Sequence, residues 1–256
     1  MRFGIIDRGD DNSKAVSKRI KEACKESGWE FSMEAPDLII SVGGDGTMLR
    51  SIHAYIDQLD QVSFVGIHTG TLGFFTDYTQ NEINLFLNDL CKRRPSIEAF
   101  PMLEIVLPKK QEKFYAFNEV RIETIGKTLS LDVYIDQEFF ENTTGSGLCI
   151  STQFGSTAVN RALNGAVVDS DIQVMQLCEI MPISHHNHHS LRNPYIMRQD
   201  REILIKGDLT YAKGYYDHLT HDIHDVNEIY VRTSEKKVRF ARYRTYSYLR
   251  RLKNLY

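Results

Sequence analysis

The chain has 256 residues, a net charge of −3, 42% hydrophobic and 25% charged side chains, which is the composition of an ordinary globular protein. It is long enough to bury one large core or two modest ones. The composition excludes wholesale disorder, the slight acidity argues against a nucleic-acid coat, and no apolar run approaches the roughly 20 residues of a membrane-spanning helix.

The first hundred residues alternate strand and helix. Residues 3–7 form a short apolar run that reads as a first strand rather than a signal peptide. After the polar turn at Gly9 and Asp10, residues 13–27 carry Ala15, Val16, Ile20, Ala23 and Cys24 at helical spacing, and Gly28 closes that helix. Residues 38–42 (Leu-Ile-Ile-Ser-Val) form a buried-strand run that stops at two glycines. A helix is expected from Thr47 past Ala54, a strand over 62–67, and a helix capped by Asn81 that runs to about Cys91 before Pro95. Short apolar strands separated by helices indicate a doubly wound parallel sheet.

The texture changes near Pro101. Leu131, Val133 and Ile135 alternate with polar neighbours at the period of a half-buried strand, and residues 203–205 and 228–232 resemble them. Two helices are expected to interrupt this region, over 157–164 and over 172–180 with Asp171 as cap. The fold expected is therefore α/β plus all-β. A doubly wound parallel α/β domain (1–99) precedes a β-sandwich-like domain (100–238), and a tail (239–256) packs back on the first domain. That tail carries six cations and no acid; it is read as packing its aromatics on the first domain and leaving its cations in water, not as a nucleic-acid stripe. The four cysteines are scattered with no CxxC pair, the usage of a reducing compartment, so a cytoplasmic location is expected.

Residues 43–47 (Gly-Gly-Asp-Gly-Thr) follow a buried strand, where ligands of open α/β sheets sit. The glycines let backbone N–H groups approach phosphate, and the following helix adds its positive end. Asp45 brings negative charge to such a turn, which suits a general base on an acceptor hydroxyl or a metal-holding group better than a phosphate contact. Other phosphate motifs fail: Arg121 breaks a Walker-type loop ending at Gly126-Lys127-Thr128, and Ile150 breaks a GxGxxG that starts at Gly145. Asn118-Glu119 interrupts an apolar strand-like stretch, so one of the two faces a core or cleft. Residues 151–158 (Ser-Thr-Gln-Phe-Gly-Ser-Thr-Ala) form a hydroxyl-rich turn before a helix, suited to a base edge or a phosphate. No metal site is assigned: His185, His186, His188 and His189 lack an accompanying cysteine or carboxylate cluster, and His218, His221 and His224 would share a face only on a helix.

Together these motifs resemble the NAD kinase family in order and separation. The segment from Gly66 to Phe74 resembles the family's turn after the next strand, and residues 239–244 its C-terminal segment in short bacterial members. The resemblance implies transfer of a phosphoryl group from ATP or polyphosphate to the 2′-hydroxyl of the adenosine ribose of NAD, giving NADP, with a divalent ion, usually magnesium. Asp45 would activate that hydroxyl, and Gly43, Gly44, Gly46 and Thr47 would lie against phosphates. Asn118 and Glu119 would hold ribose and phosphate groups, Phe74 would border the nicotinamide side, and Thr157 and Ala158 would meet the adenine. A homodimer or homotetramer is implied, with no nucleic-acid or membrane partner. The sequence departs from the family where the base is read: Val159 replaces a stacking tyrosine, Ser146 an aspartate, Gln153 a proline, and Phe154 a small residue. Phe154 is expected to supply the lost stacking surface. The alternative is another nucleotide acceptor, or a nucleotide-binding regulator of the same family.

Overall fold

The computed structural model describes residues 1–70, 73–184, 190–245 and 247–253. The chain divides into two compact units, one of Met1–Phe100 with Lys236–Tyr256, the other of Pro101–Glu235.

The first unit opens with β1 (Arg2–Asp7), α1 (Asp11–Glu26), β2 (Glu30–Phe31), β3 (Leu38–Val42) and α2 (Asp45–Ala54). It continues with β4 (Ser63–His68), β5 (Tyr78–Thr79), α3 (Ile83–Lys92) and the start of β6 (Ser96–Leu107). Asp10 caps α1 by accepting from the Ser13 amide at 3.1 Å, and Gly28, at φ +80°, takes the left-handed conformation that stops it. The α3 entry differs from the expected Asn81 cap. Thr79 and Glu82 form a reciprocal capping box over one 3₁₀ turn, which satisfies two otherwise orphaned donors where Asn81 would satisfy one.

β1, β2, β3 and β4 are mutually parallel in the order 4-3-1-2, the pattern of a doubly wound sheet. Val16, Ile20 and Cys24 of α1 and Ile83, Phe86 and Leu90 of α3 bury against Phe3, Ile40, Val65 and Ile67 of the sheet.

The second unit is β-rich. It holds β7 (Glu112–Ala116), β8 (Glu119–Glu123), β9 (Leu129–Ile135), β10 (Glu138–Gly145), β11 (Gly147–Thr152) and the one-turn α4 (Val159–Ala162). There follow β12 (Val174–Ile180), β13 (Tyr195–Arg198), β14 (Ile203–Gly207), β15 (Lys213–Tyr216), β16 (Leu219–Asp222) and the first half of β17 (Glu228–Arg242). One antiparallel sheet runs β13-β12-β11-β8-β15-β16; the other joins β10, β9, β14 and β17. Side chains from both sheets, among them Val120, Ile150 and Leu177 from one and Leu131, Ile205 and Val231 from the other, share a core, as in a sandwich.

Two expected helices change here. Residues 172–180 are not helical: Val174–Ile180 is a strand between β11 and β13. Its run of apolar residues is as compatible with a buried strand as with a helix, and two flanking strands supply its backbone partners. The helix expected over 157–164 shrinks to one turn, α4, after a 3₁₀ turn.

The tail returns to the first unit. The second half of β17 lies parallel to β4, with Phe240 opposite Phe64, and Ala241 and Tyr243 join the helix–sheet core; α5 (Tyr248–Leu252) follows. Its cations do not all stay in water, as the sequence suggests. The Arg242 and Arg251 side chains are 4% and 5% exposed and both pair with buried Asp77. The histidine loop, residues 185–189, lies outside the described residues.

Candidate active site

Gly43 must be glycine, because a Cβ there would meet Thr47 Oγ1 at 2.2 Å. Gly44 caps α2 without any side-chain help, so Asp45 is the first helical residue and not the helix cap. Its carboxylate turns away from the helix instead. Oδ2 accepts from the Phe74 amide at 2.9 Å and Oδ1 from the Phe75 amide at 3.0 Å. Gly73 allows this approach: a Cβ there would lie 2.3 Å from Asp45 Oδ1. Two backbone donors thus fix both rotation and tilt of the carboxylate, while each oxygen keeps a lone pair for a further partner. Asp45 is half-buried and Gly46 is exposed; the Thr47 amide donates to Gly44 O at 2.9 Å, which leaves the Asp45 and Gly46 amides as the first-turn donors without an intrahelical acceptor.

His68, at the end of β4, completes this turn. Its Nδ1 accepts from the Gly70 amide at 2.8 Å, which assigns the proton of the neutral ring to Nε2, and Nε2 faces Gly44. Burial lowers its pKa below the ordinary histidine value, and nearby Asp45 pulls the other way. A neutral ring beside the glycine turn can donate one hydrogen bond without adding charge. Ser13 Oγ and Thr69 Oγ1, 2.8 Å apart and buried, tie the start of α1 to the same loop.

In the second unit the other predicted residues converge. Asn118 and Glu119 are both buried, 7% and 3% exposed, where the sequence required only one of them to be. Asp217, in the turn between β15 and β16 at φ +47°, accepts from the Phe117 and Asn118 amides at 2.8 and 2.7 Å. Asn118 Oδ1 and Glu119 Oε2 have no hydrogen-bond partner among the described residues. Buried polar atoms are rarely left so without a ligand or water to meet them. Burial, with Asp217 adding like charge, pushes the Glu119 pKa up to about 8.

The segment 151–158 docks on this pair. Thr152 Oγ1 donates to Phe117 O at 2.7 Å and accepts from the Phe154 amide at 3.1 Å, and the Thr152 amide donates to Asn118 O at 2.9 Å. Gly155 sits so close to Asn118 O that a Cβ would lie 2.2 Å from it. The Phe154 ring is buried, its centroid 4.8 Å from that of Phe117 at 20°, so one of its faces is already stacked. Thr157, Ala158 and Val159 are half-buried at the start of α4. Ser146 bridges β10 and β11, its amide donating to Ile180 O at 2.9 Å.

The structure therefore gathers Gly43, Gly44, Asp45, Gly46, Thr47 and Phe74 in one unit, and Asn118, Glu119, Phe154, Thr157 and Ala158 in the other. Sequence reasoning missed Gly73 and Phe75, which act through backbone, and Asp217. The signal for Asp217 was its place between two alternating segments, Lys213–Tyr216 and Leu219–Asp222, where an Asp in a tight turn is free to bind backbone N–H groups. His218, His221 and His224 belong to a hairpin and its following turn, so helical spacing does not apply. His221 pairs with Glu112, and His224 with Asp222 and Asp225. Among the described residues no three His, Cys, Asp or Glu side chains converge to hold a metal ion, and no described helix is long and apolar enough to cross a membrane.

Comparison with known proteins matches residues 8–94 to the ATP-NAD kinase N-terminal domain and 117–243 to the ATP-NAD kinase C-terminal domain. NAD kinase 1 of Oceanobacillus iheyensis is 34% identical over 261 residues, covering 99% of this chain and 97% of its own. NAD kinase 1 of Bacillus subtilis is also 34% identical, at 99% and 97% coverage. Among solved structures, an Archaeoglobus fulgidus NAD kinase in complex with ATP has a TM-score of 0.80 at 24% identity, over 100% of this chain and 97% of its own. Yeast NADH kinase complexed with NADH has a TM-score of 0.83 at 21% identity, over 100% and 87%; at these identities the two structures speak for the fold. Matched across both domains and at full length, the chain belongs to the ATP-NAD kinase family.

Proposed function

We propose that this NAD kinase uses Asp45 as the group that takes the proton of the acceptor hydroxyl, the 2′-hydroxyl of the adenosine ribose of NAD, as a phosphoryl group passes to it and NADP forms. The observation that carries the assignment is the pair of amides, Phe74 and Phe75, that aims one carboxylate oxygen each way from the glycine turn. Phosphoryl transfer asks a protein mainly for positioning and charge stabilisation, and a rotationally fixed carboxylate meets the first need. The backbone of Gly43, Gly44, Gly46 and Thr47, at the positive end of α2, serves the phosphates. Buried Asn118 Oδ1 and Glu119 Oε2 serve ribose hydroxyls, which can donate to both. With a pKa near 8, Glu119 is largely protonated at neutral pH and can itself donate one hydrogen bond. Phe74 borders the nicotinamide side, and Thr157 and Ala158 meet the adenine, with Phe154 close by in the same segment.

ATP, the donor in the family's description, brings its own charge problem. No cluster of described residues would hold a divalent ion alone; a magnesium ion would come with the donor's phosphates, and Asp45 would be the carboxylate in the turn to meet it. Such an ion supplies neutralisation of the phosphate charge. A cytoplasmic location is our reading, and four free cysteines support it. A homodimer or homotetramer remains the assembly that the family resemblance implies.

The test is NADP formation from NAD, ATP and magnesium by wild type and Asp45→Asn. Loss of a general base lowers turnover roughly 10²–10⁴-fold; asparagine keeps one of the two acceptors for the loop amides and gives up the other, and the fold is expected to stay intact by thermal unfolding. Undiminished turnover removes Asp45 from the mechanism.

A further inference from the structure

The loop that holds Asp45 is itself held from the other end of the chain. Residues 73–77 run from the two amides on Asp45 straight into a cluster of three tail arginines. Arg251 Nη2 donates to Thr76 O at 2.7 Å and reaches Asp77 Oδ1 at 3.4 Å. Arg242 Nη1 lies 2.9 Å from both carboxylate oxygens of Asp77, and its Nε donates to Glu98 at 2.9 Å. Arg244 donates to Asp77 O and to both Glu82 oxygens, with its guanidinium 4.2 Å from the centre of the Tyr78 ring. On the near side of the loop, Tyr248 of α5 packs its ring 5.7 Å from that of Phe74, and Phe240 of β17 stacks on Phe75. Both residues whose amides hold Asp45 are thus braced by the tail, and the carbonyl immediately after them is fixed by a guanidinium.

We infer that Arg251, with Arg242 and Arg244, is a positioning residue for Asp45: by anchoring residues 76–77 the tail sets where the Phe74 and Phe75 amides stand and so which way the carboxylate points. Two links of the chain separate the Phe75 amide from the Thr76 carbonyl, and planar peptides leave little slack over that distance. Arginine suits the task because its planar fork fixes direction as well as distance. A cluster whose only purpose was stability would have no need to grip backbone carbonyls next to this loop; Thr76 O and Asp77 O are both gripped. The inference rests on the reading of Asp45 as the group that receives the acceptor's proton.

The experiment is a cycle of Arg251→Met and Asp45→Asn, singly and together, in the full-length protein, with NADP formation from NAD, ATP and magnesium as readout. A small displacement of a reacting group costs up to about 10²-fold in rate. Arg251→Met is therefore expected to lower kcat roughly 10- to 100-fold with KM for NAD within about threefold, and Arg251→Lys, which can still donate to Thr76 O, recovers most of it. In the Asp45→Asn background the same change is expected to cost less than about twofold, because the group it positions is gone. An equal loss in both backgrounds makes the cluster merely structural and overturns the inference. Full activity of Arg251→Met beside a collapsed Asp45→Asn also overturns it while leaving the base assignment standing; full activity of Asp45→Asn instead brings down the base assignment. Should Arg251→Met fail to fold, Tyr248→Ala, which removes the ring packed on Phe74, must show the same dependence on Asp45.

Discussion

Replacing Glu119 by Gln tests the electrostatics of the β-rich unit. Glu119 is 3% exposed, accepts no hydrogen bond at Oε2, and lies near Asp217, so its pKa rises from 4.5 to about 8. Because the folded-state pKa lies above the unfolded one, the folded protein binds the extra proton. The stability this contributes is complete below about pH 4.5 and is lost as pH rises through about 8. Each pH unit in that window costs about 1.4 kcal/mol. Glutamine resembles the protonated acid and does not titrate, so the variant gains on the wild type as pH rises. Between pH 6 and 8 the gain is on the order of 2–3 kcal/mol, or about 5–10 °C in Tm for a protein of this size. Thermal unfolding of both proteins at half-unit steps from pH 5 to 9 measures it, and the difference is expected to level off above pH 8. A difference that stays flat from pH 6 to 8 would falsify the raised pKa and, with it, the picture of Glu119 as a hydrogen-bond donor at neutral pH.

Three further outcomes bear on the site. Gly73→Ala places a Cβ 2.3 Å from Asp45 Oδ1, so the loop or the carboxylate must move; kcat for NADP formation is expected to fall at least about tenfold, with Tm nearly unchanged. Phe154→Ala empties a buried position stacked on Phe117 and is expected to cost about 3 kcal/mol of stability, seen as a lower Tm. If Phe154 also carries the adenine, the same variant binds NAD roughly ten- to a hundredfold more weakly by calorimetry, and unchanged affinity would reject that role.

The readable parts of this protein were those set by local chemistry. The strand at Leu38–Val42 and the glycine turn after it follow from an apolar run that must be buried and from a backbone that only glycine accommodates. Asn118 and Glu119 stood out because polar side chains in an apolar stretch need a reason. The misreadings have two origins, partners distant along the chain and competition between neighbouring motifs. Residues 174–180 carry no helix-or-strand preference in their pattern, and the neighbouring strands β11 and β13 decided the matter by supplying hydrogen bonds. Asn81 yielded its capping role to the Thr79–Glu82 pair, a competition between two local motifs that composition does not rank.

The sequence by itself determined the order of elements in the first unit, the place of the glycine turn and the identity of its single carboxylate, since these depend on side-chain period and on backbone freedom within a few residues. Only the tertiary structure decided how that carboxylate is held. The Phe74 and Phe75 amides lie 29 and 30 residues from Asp45, Asp217 lies 99 residues from the Asn118 amide it accepts from, and Arg251 lies 175 from the Thr76 carbonyl it grips. A backbone amide looks the same at every position of a sequence. Which amide meets which carboxylate is settled by the packing that brings distant loops together, and so is whether a tail arginine ends in water or beside Asp77.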